Sequence, residues 1–187
     1  ERTMIFDCND RPGIMLSSAV RKYLNHYGVK CGNNVVVFAN NDDAYETALS
    51  LHKKGVKIKA IIDIRKESKG DLIKKCTELG IKIMWKHTVV KAGGHKRISK
   101  IVVMKLSNNN DSVVGNKIKI YCDLLCVSGG YTPAVHLFTQ SGGKLAFDEQ
   151  KFYFYPEKTN LEQISVGSCA GIFNLKKIIQ DTYERVN

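Results

Sequence analysis

NVVVFANNDDAYETALSLHKKGVKIKAIIDIR, residues 34–65, is the stretch from which the fold follows. It opens on an apolar run, Val35, Val36, Val37 and Phe38, and crosses a short polar turn. Ala44, Ala48, Leu49 and Leu51 follow at helical spacing, then a second apolar run, Ala60 to Ile62. The order is strand, helix, strand. An uninterrupted apolar run has no face for water, so both strands belong in a parallel sheet covered on two sides and joined by a right-handed crossover helix.

Sheets of this kind hold dinucleotides at the first strand-to-helix turn, where G-x-G-x-x-G lets the pyrophosphate reach backbone N–H groups at a helix N-terminus. The six positions here are Ala39, Asn40, Asn41, Asp42, Asp43 and Ala44. Alanine is acceptable at the last of them. Asn41 puts a side chain where the second glycine leaves room. Asp42 and Asp43 place negative charge at the positive end of the helix dipole, and one of them is expected to cap the helix. Asp63, at the end of the second strand, stands where an acidic residue holds a ribose hydroxyl; the alternative is a strand-end carboxylate beside Arg65. The expectation is a dinucleotide fold with a disabled phosphate loop.

Downstream, a helix is expected over about Lys69–Leu79, stopped by Gly80, and a third strand at Ile81–Trp85. Thr88–Lys91, Ile98–Leu106 and Lys117–Ile120 are short β-branched runs separated by Gly93-Gly94 and Asn108–Asp111, which predicts an antiparallel meander. Asp123–Val127 closes the parallel sheet and runs into SGGYTPAVHLF. There the pair Gly129-Gly130 is either a point where backbone approaches a ligand or a plain strand-to-helix turn. Beyond a second glycine turn, SGGKL, Phe147–Pro156 reads as an aromatic hairpin, Ile164–Val166 as a short strand, and the segment from about Leu175 as a helix. The small residues Gly167 to Gly171 between the last two suit a phosphate or ribityl chain.

Upstream, TMIF (residues 3–6) reads as an incoming strand. Asp10 reads as the cap of a helix starting near Pro12, with Ile14, Leu16, Ala19, Val20, Tyr23 and Leu24 as its buried face and Gly28 as its stop. His26, His87 and His95 have neither catalytic companions nor metal spacing, so they are read as structural or surface residues. The fold class is α/β: a Rossmann-like doubly wound parallel sheet with an antiparallel β-meander, inserted in part of a second dinucleotide-binding domain. Residues 34–126 are the inserted NAD(P)-binding-like domain, and 1–33 with 127–187 form part of the outer one.

With 187 residues, 43% of them hydrophobic, the chain can bury a substantial core. Its start at Glu1 and the lack of a signal peptide or a membrane-spanning run suggest an excised piece of a soluble, cytoplasmic protein. The six cysteines show no C-x-x-C and sit mostly in or beside apolar runs, as reduced buried thiols do. The net charge of +11 raises nucleic-acid binding, but the lysines are scattered among Val and Ile rather than clustered with exposed aromatics. Neither nucleic acid nor membrane is expected as a partner.

This organisation resembles the two-dinucleotide-domain flavoproteins of the glutathione reductase type. More specifically, NDRPGIMLSSAVRKYLNHYGV, VVVFANNDDAYETAL and above all SGGYTPAVHLFTQSGGKLAFDE are similar to the alpha subunit of heterotetrameric sarcosine oxidase, across nearly the whole chain. The resemblance implies an oxidoreductase complex with beta, gamma and delta subunits that demethylates sarcosine oxidatively. Electrons would pass from FAD through FMN to oxygen and the one-carbon unit to tetrahydrofolate. It places NAD in the outer domain, FAD and FMN elsewhere in the complex, and no tightly bound cofactor on this piece alone.

By the same resemblance, SGGYTP sets Gly130 on a strand end passing near the dinucleotide. GSCAGIFNL likewise sets Gly167, Ser168, Phe173 and Leu175 on NAD-lining positions. Phe173 and Leu175 depart from the leucine and threonine of the family pattern, and Ser168 stands where flavin-binding relatives carry aspartate. No Ser/His/Asp grouping, carboxylate pair or redox thiol pair is present, so no catalytic residue is expected here. Two alternatives stand beside this reading. One is a working NAD(P)H domain of another flavin-dependent oxidoreductase or amine or proline dehydrogenase, using Asn40–Ala44; the other is a basic subunit-docking module.

Overall fold

The computed structural model describes residues 1–186, which divide into two units, 1–130 and the described residues from 131 onward. The first is organised by strand β2 (Asn34–Ala39), helix α2 (Asp43–Lys53) and strand β3 (Lys57–Asp63), as the sequence predicts. β2 and β3 pair in parallel, Phe38 opposite Ile62 and Ala39 opposite Asp63.

Strand β1 (Ile14–Leu16) and helix α1 (Ser17–Tyr27) precede this unit; helix α3 (Asp71–Glu78) and strand β4 (Ile83–Trp85) follow it. With β8 (Leu124–Ser128) they complete a five-stranded sheet of order β1-β8-β2-β3-β4, in which every pairing is parallel. The meander is β5 (His87–Gly93), β6 (Lys100–Leu106) and β7 (Val113–Tyr121), antiparallel in that order.

Alternation explains the continuous apolar run of β2. Val35, Val37 and Ala39 face the core shared with Val20 and Leu24 of α1, Ala44 and Leu51 of α2, and Ile73 of α3. Val36 and Phe38 face the opposite core, shared with Val89, Ile101 and Val103 of the meander. Helices thus cover one face of the sheet and the meander covers the other. Each buried Val or Phe is worth about 1.5–3 kcal/mol relative to exposure.

The amino-terminal segment departs from its sequence-based reading. Residues 3–6 form no strand; the segment is held by isolated contacts, among them the Arg2 amide on the Gly130 carbonyl at 2.7 Å and a bridge between Asp7 and Lys91. Nor does a helix start near Pro12. The Pro12 carbonyl accepts the Ile98 amide, Gly13 takes φ +93°, and Ile14 pairs with Leu125. Ile14 and Leu16 alternate with period two, and helical spacing begins only at Ser17. Asp10 therefore caps nothing. The Glu1 carboxylate accepts the Ser18 amide at 2.9 Å and meets a first-turn donor of α1 in place of a local cap.

In the second unit, helix α4 (His136–Gln140) precedes the expected hairpin, β9 (Lys144–Asp148) with β10 (Tyr153–Lys158). A 3-10 turn, Gly167–Ala170, then leads to helix α5 (Leu175–Val186). Ile164–Val166 is not a strand: no neighbouring segment of the described unit pairs with it, and Ile164 is exposed.

Candidate functional site

Doubly wound sheets bind ligands at the carboxyl ends of their strands, where the order reverses. In the sheet of residues 1–130 that place is the crevice between β2 and β8, roofed by the turn into α2. It is filled by the chain's own side chains.

Asn41 stands at the second position that glycine would keep clear. Its Nδ2 donates to the Ser128 carbonyl at 3.1 Å and to Ser128 Oγ at 2.9 Å, and the neighbouring Asn40 amide donates to the same carbonyl at 3.0 Å. The turn is thereby stitched to the end of β8 across the space a diphosphate needs.

The two aspartates do not cap α2 with their side chains, contrary to expectation. Asp42 occupies the N-cap position in helical geometry with no side-chain cap bond. Its carboxylate takes Arg65 Nη1 at 2.9 Å, while Asp43 takes Arg21 Nη2 at 2.9 Å. Arg21, from α1, also reaches Glu46 at 3.5 Å. The helix still gains from acidic charge in its first turn through its dipole.

Asp63 has no exposed surface and sits in a complete set of donors. Tyr45 Oη donates to Oδ2 at 2.8 Å, the Arg65 amide to Oδ1 at 2.9 Å, Arg65 Nε to Oδ1 at 3.0 Å and Arg65 Nη2 to Oδ2 at 2.8 Å. Of the two sequence readings, the structure supports the strand-end carboxylate beside Arg65. Burial, then the Asp63 charge, pushes the Tyr45 phenol well above its ordinary value, so it stays a donor. For Arg65, burial alone would lower the pKa, but Asp63 and Asp42 together hold it above the usual range. Sequence reasoning missed Tyr45 and Arg21. Tyr45, two residues into α2 and stacked 6.2 Å from Trp85, carries no motif of its own.

The glycine pair after β8 does make room for a close approach. A Cβ on Gly129 would lie 2.8 Å from the Thr3 carbonyl oxygen and 2.9 Å from that of Arg2, and the Gly129 amide donates to Arg2 at 2.9 Å. The backbone admitted is the chain's own amino-terminal segment. Gly130 beside it has φ +94°.

The other residues singled out from the sequence lie in the second unit. Gly167 and Ser168 open the 3-10 turn, Gly167 at φ +61° and Ser168 exposed. Phe173 is 39% exposed, its ring 5.4 Å from Tyr131 and 6.4 Å from Tyr153; Leu175, the first residue of α5, is 69% exposed. Gly171 admits Tyr153, whose Oη would lie 2.9 Å from an added Cβ.

Among the described residues no group of histidine, cysteine, aspartate and glutamate is placed to hold a metal ion, and no helix is long and apolar enough to cross a membrane. Of the cysteines, Cys76, Cys122 and Cys126 are buried. His95 is exposed, and the half-buried His87 bonds the Trp85 carbonyl through Nδ1 at 2.6 Å.

No family model matches the chain. Among curated proteins, it is 35% identical over 176 residues to sarcosine oxidase subunit alpha of Corynebacterium sp. (strain P-1), a match that covers 93% of this chain and 18% of that subunit. Among solved structures, the thioredoxin reductase of T. acidophilum superposes with TM-score 0.64 at 14% identity, covering 95% of this chain and 57% of that one. The L-proline dehydrogenase of P. horikoshii superposes with TM-score 0.61 at 21% identity, covering 91% and 28%. At these identities the two structures show the fold alone, a Rossmann-like one. The chain spans less than a fifth of the length of the curated relative.

Proposed function

We propose, starting from the homology of this chain to a segment of sarcosine oxidase subunit alpha, that it serves as an internal part of the alpha subunit of a cytoplasmic, multisubunit flavoenzyme oxidising sarcosine. Its role there is scaffold and cofactor wall rather than chemistry. Residues 34–126 act as the inserted, retired dinucleotide domain. Residues 1–33 and 127–187 belong to the outer domain, with Gly130, Gly167, Ser168, Phe173 and Leu175 on its NAD wall. The beta, gamma and delta subunits are its partners; FAD and FMN in the assembled complex supply the redox chemistry, and tetrahydrofolate takes the one-carbon unit.

The observation that carries this reading is the identity of 35% over 93% of the chain. The residues present support both halves of the cofactor assignment. The crevice at Ala39–Ala44 does not fit a dinucleotide, because Asn41 is bonded across it and Arg65 bridges the two carboxylates where phosphate and ribose would lie. Ser168, Phe173 and Leu175 each keep exposed surface to offer a ligand.

The test is to purify the full-length subunit containing this segment with its flavoprotein partner and to measure sarcosine-dependent oxygen uptake and bound NAD. Uptake, with NAD retained in an Asp63→Asn variant and lost in a Ser168→Trp variant, supports the reading. Saturable NADH binding to the 187-residue chain that disappears in Asn41→Trp would sink it, in favour of a working NAD(P)H domain.

A further inference from the structure

A second concavity lies at the opposite end of the parallel sheet from the crevice. It has a volume of about 470 Å³, within the range of small-molecule pockets, and its walls include Lys59, Arg97, Ile98, Tyr121 and Asp123. Asp123 immediately precedes β8, so this cavity sits at the amino ends of the strands.

Lys59 is placed there by an irregularity in the sheet. Val35 of β2 pairs with Ile58 and Val36 with Ala60, so Lys59 is one residue more than its partner strand matches. A bulge of this kind re-aims a side chain, and here it brings the half-buried Lys59 into the cavity wall. Among the described residues no ion pair joins Lys59 or Arg97 to a carboxylate. The one acid on the walls, Asp123, is already engaged: its Oδ1 accepts the amides of Asn33 at 3.0 Å and Asn34 at 2.8 Å. Arg97 is oriented by one bond, from Nη2 to the Asp123 carbonyl at 3.1 Å, which leaves its other donors for a ligand. Tyr121 at the rim is 67% exposed, an aromatic face open to stacking. The Cys122 thiol is held neutral by burial and then by Asp123, so it adds no competing anion.

We infer that this notch is a binding site for a small organic anion, a carboxylate or phosphate carried on a flat apolar body. Lys59 and Arg97 take the charged head, and the exposed Tyr121 ring takes the body. The inference is independent of the flavoenzyme reading, because none of the residues lining the notch is one to which that reading gives a cofactor role.

The test is an amide-shift titration of the 187-residue chain with phenyl phosphate and phenylacetate, inorganic phosphate and benzylamine serving as controls. Both aryl anions should saturate, with a Kd of about 1 mM or tighter, and shift amides around Lys59, Arg97 and Tyr121. Inorganic phosphate should bind about tenfold more weakly, and benzylamine should leave the spectrum unchanged. Saturation by one aryl anion alone identifies the head group. Lys59→Met keeps the stem, and Tyr121→Ala alters only an exposed ring; each should weaken the aryl anions about tenfold with the fold's dispersion intact. Failure of both anions to saturate, unchanged affinity in both variants, or shifts confined to another face overturns the inference.

Discussion

Replacing Arg65 by alanine removes two of the four donors on Asp63, Nε and Nη2, and leaves a fully buried carboxylate with only the Tyr45 hydroxyl and one backbone amide. Breaking a buried ion pair from one side costs about 3–5 kcal/mol. The Arg65 side chain is 27% exposed, so water screens part of that loss, and the half-exposed Asp42 pair adds about 0–1 kcal/mol. The expected destabilisation is about 3 kcal/mol, or roughly 9 °C in Tm at about 3 °C per kcal/mol. Trp85 is the only tryptophan of the chain and stacks 6.2 Å from Tyr45, so urea unfolding followed by its fluorescence reports on this network. Adding Asp63→Asn to Arg65→Ala removes the stranded charge and should restore about half of the loss. A loss under about 0.5 kcal/mol, or a double variant no more stable than Arg65→Ala, would refute the claim that Arg65 is there to neutralise Asp63.

Three further outcomes follow from the geometry. Burial pushes the Cys76 thiol up to about 11 and, with Asp123, that of Cys122 up to about 12, against 9.0 as the ordinary value. Between those values the native chain keeps protons that the unfolded chain has lost. Stability should therefore be intact below about pH 9 and fall as pH rises toward 12, by at most about 1.4 kcal/mol per pH unit per thiol; urea midpoints at stepped pH check this, and Cys76→Ala with Cys122→Ala should make the slope shallower, leaving the part due to Cys126 and Tyr45, which burial also raises. Gly129→Val forces Cβ against the Arg2 and Thr3 carbonyl oxygens, with an expected cost of about 1–3 kcal/mol and accelerated hydrogen exchange at the Arg2 amide. Reopening the turn with Asn41→Gly alone should confer no NADH binding by calorimetry, because Arg65 and its two carboxylates still occupy the crevice.

The sheet was legible because β2 states both of its faces in one run: odd positions pack under the helices and even positions under the meander, so no polar residue intrudes. The meander was legible for the complementary reason, short β-branched runs between glycine and asparagine turns. What failed was local reading of groups that are satisfied from far away in sequence. Asp42 and Asp43 look like caps until Arg65 and Arg21 are folded against them. Ile14 and Leu16 join a helical pattern on paper, and only their pairing with β8 shows that the period changes at Ser17. Ile164–Val166 has strand composition but no neighbour, and composition alone cannot supply a ladder. Nor did any motif announce the extra residue that turns Lys59 out of register with β2, since a bulge exists only between two strands.

Steric closure of the turn is reinforced by its charge. Asp42 and Asp63 share Arg65, and Asp43 and Glu46 share Arg21, so each cluster keeps one net negative charge at the amino end of α2. A phosphate seated about 5 Å from one such charge would meet a repulsion of roughly 3 kcal/mol at an effective dielectric constant of about 20. The helix dipole returns about 0.3–1 kcal/mol, or about 2 in a favourable buried geometry. The electrostatic balance is therefore unfavourable for the first phosphate before any side chain has been displaced, and worse for a diphosphate near both clusters. Clearing Asn41 addresses sterics only. Converting the crevice back into a dinucleotide site requires neutralising Asp42 and Asp43 as well, and Arg65 must then be released from Asp63, which the buried carboxylate resists. Each substitution that would favour the ligand removes a bond that now holds the turn.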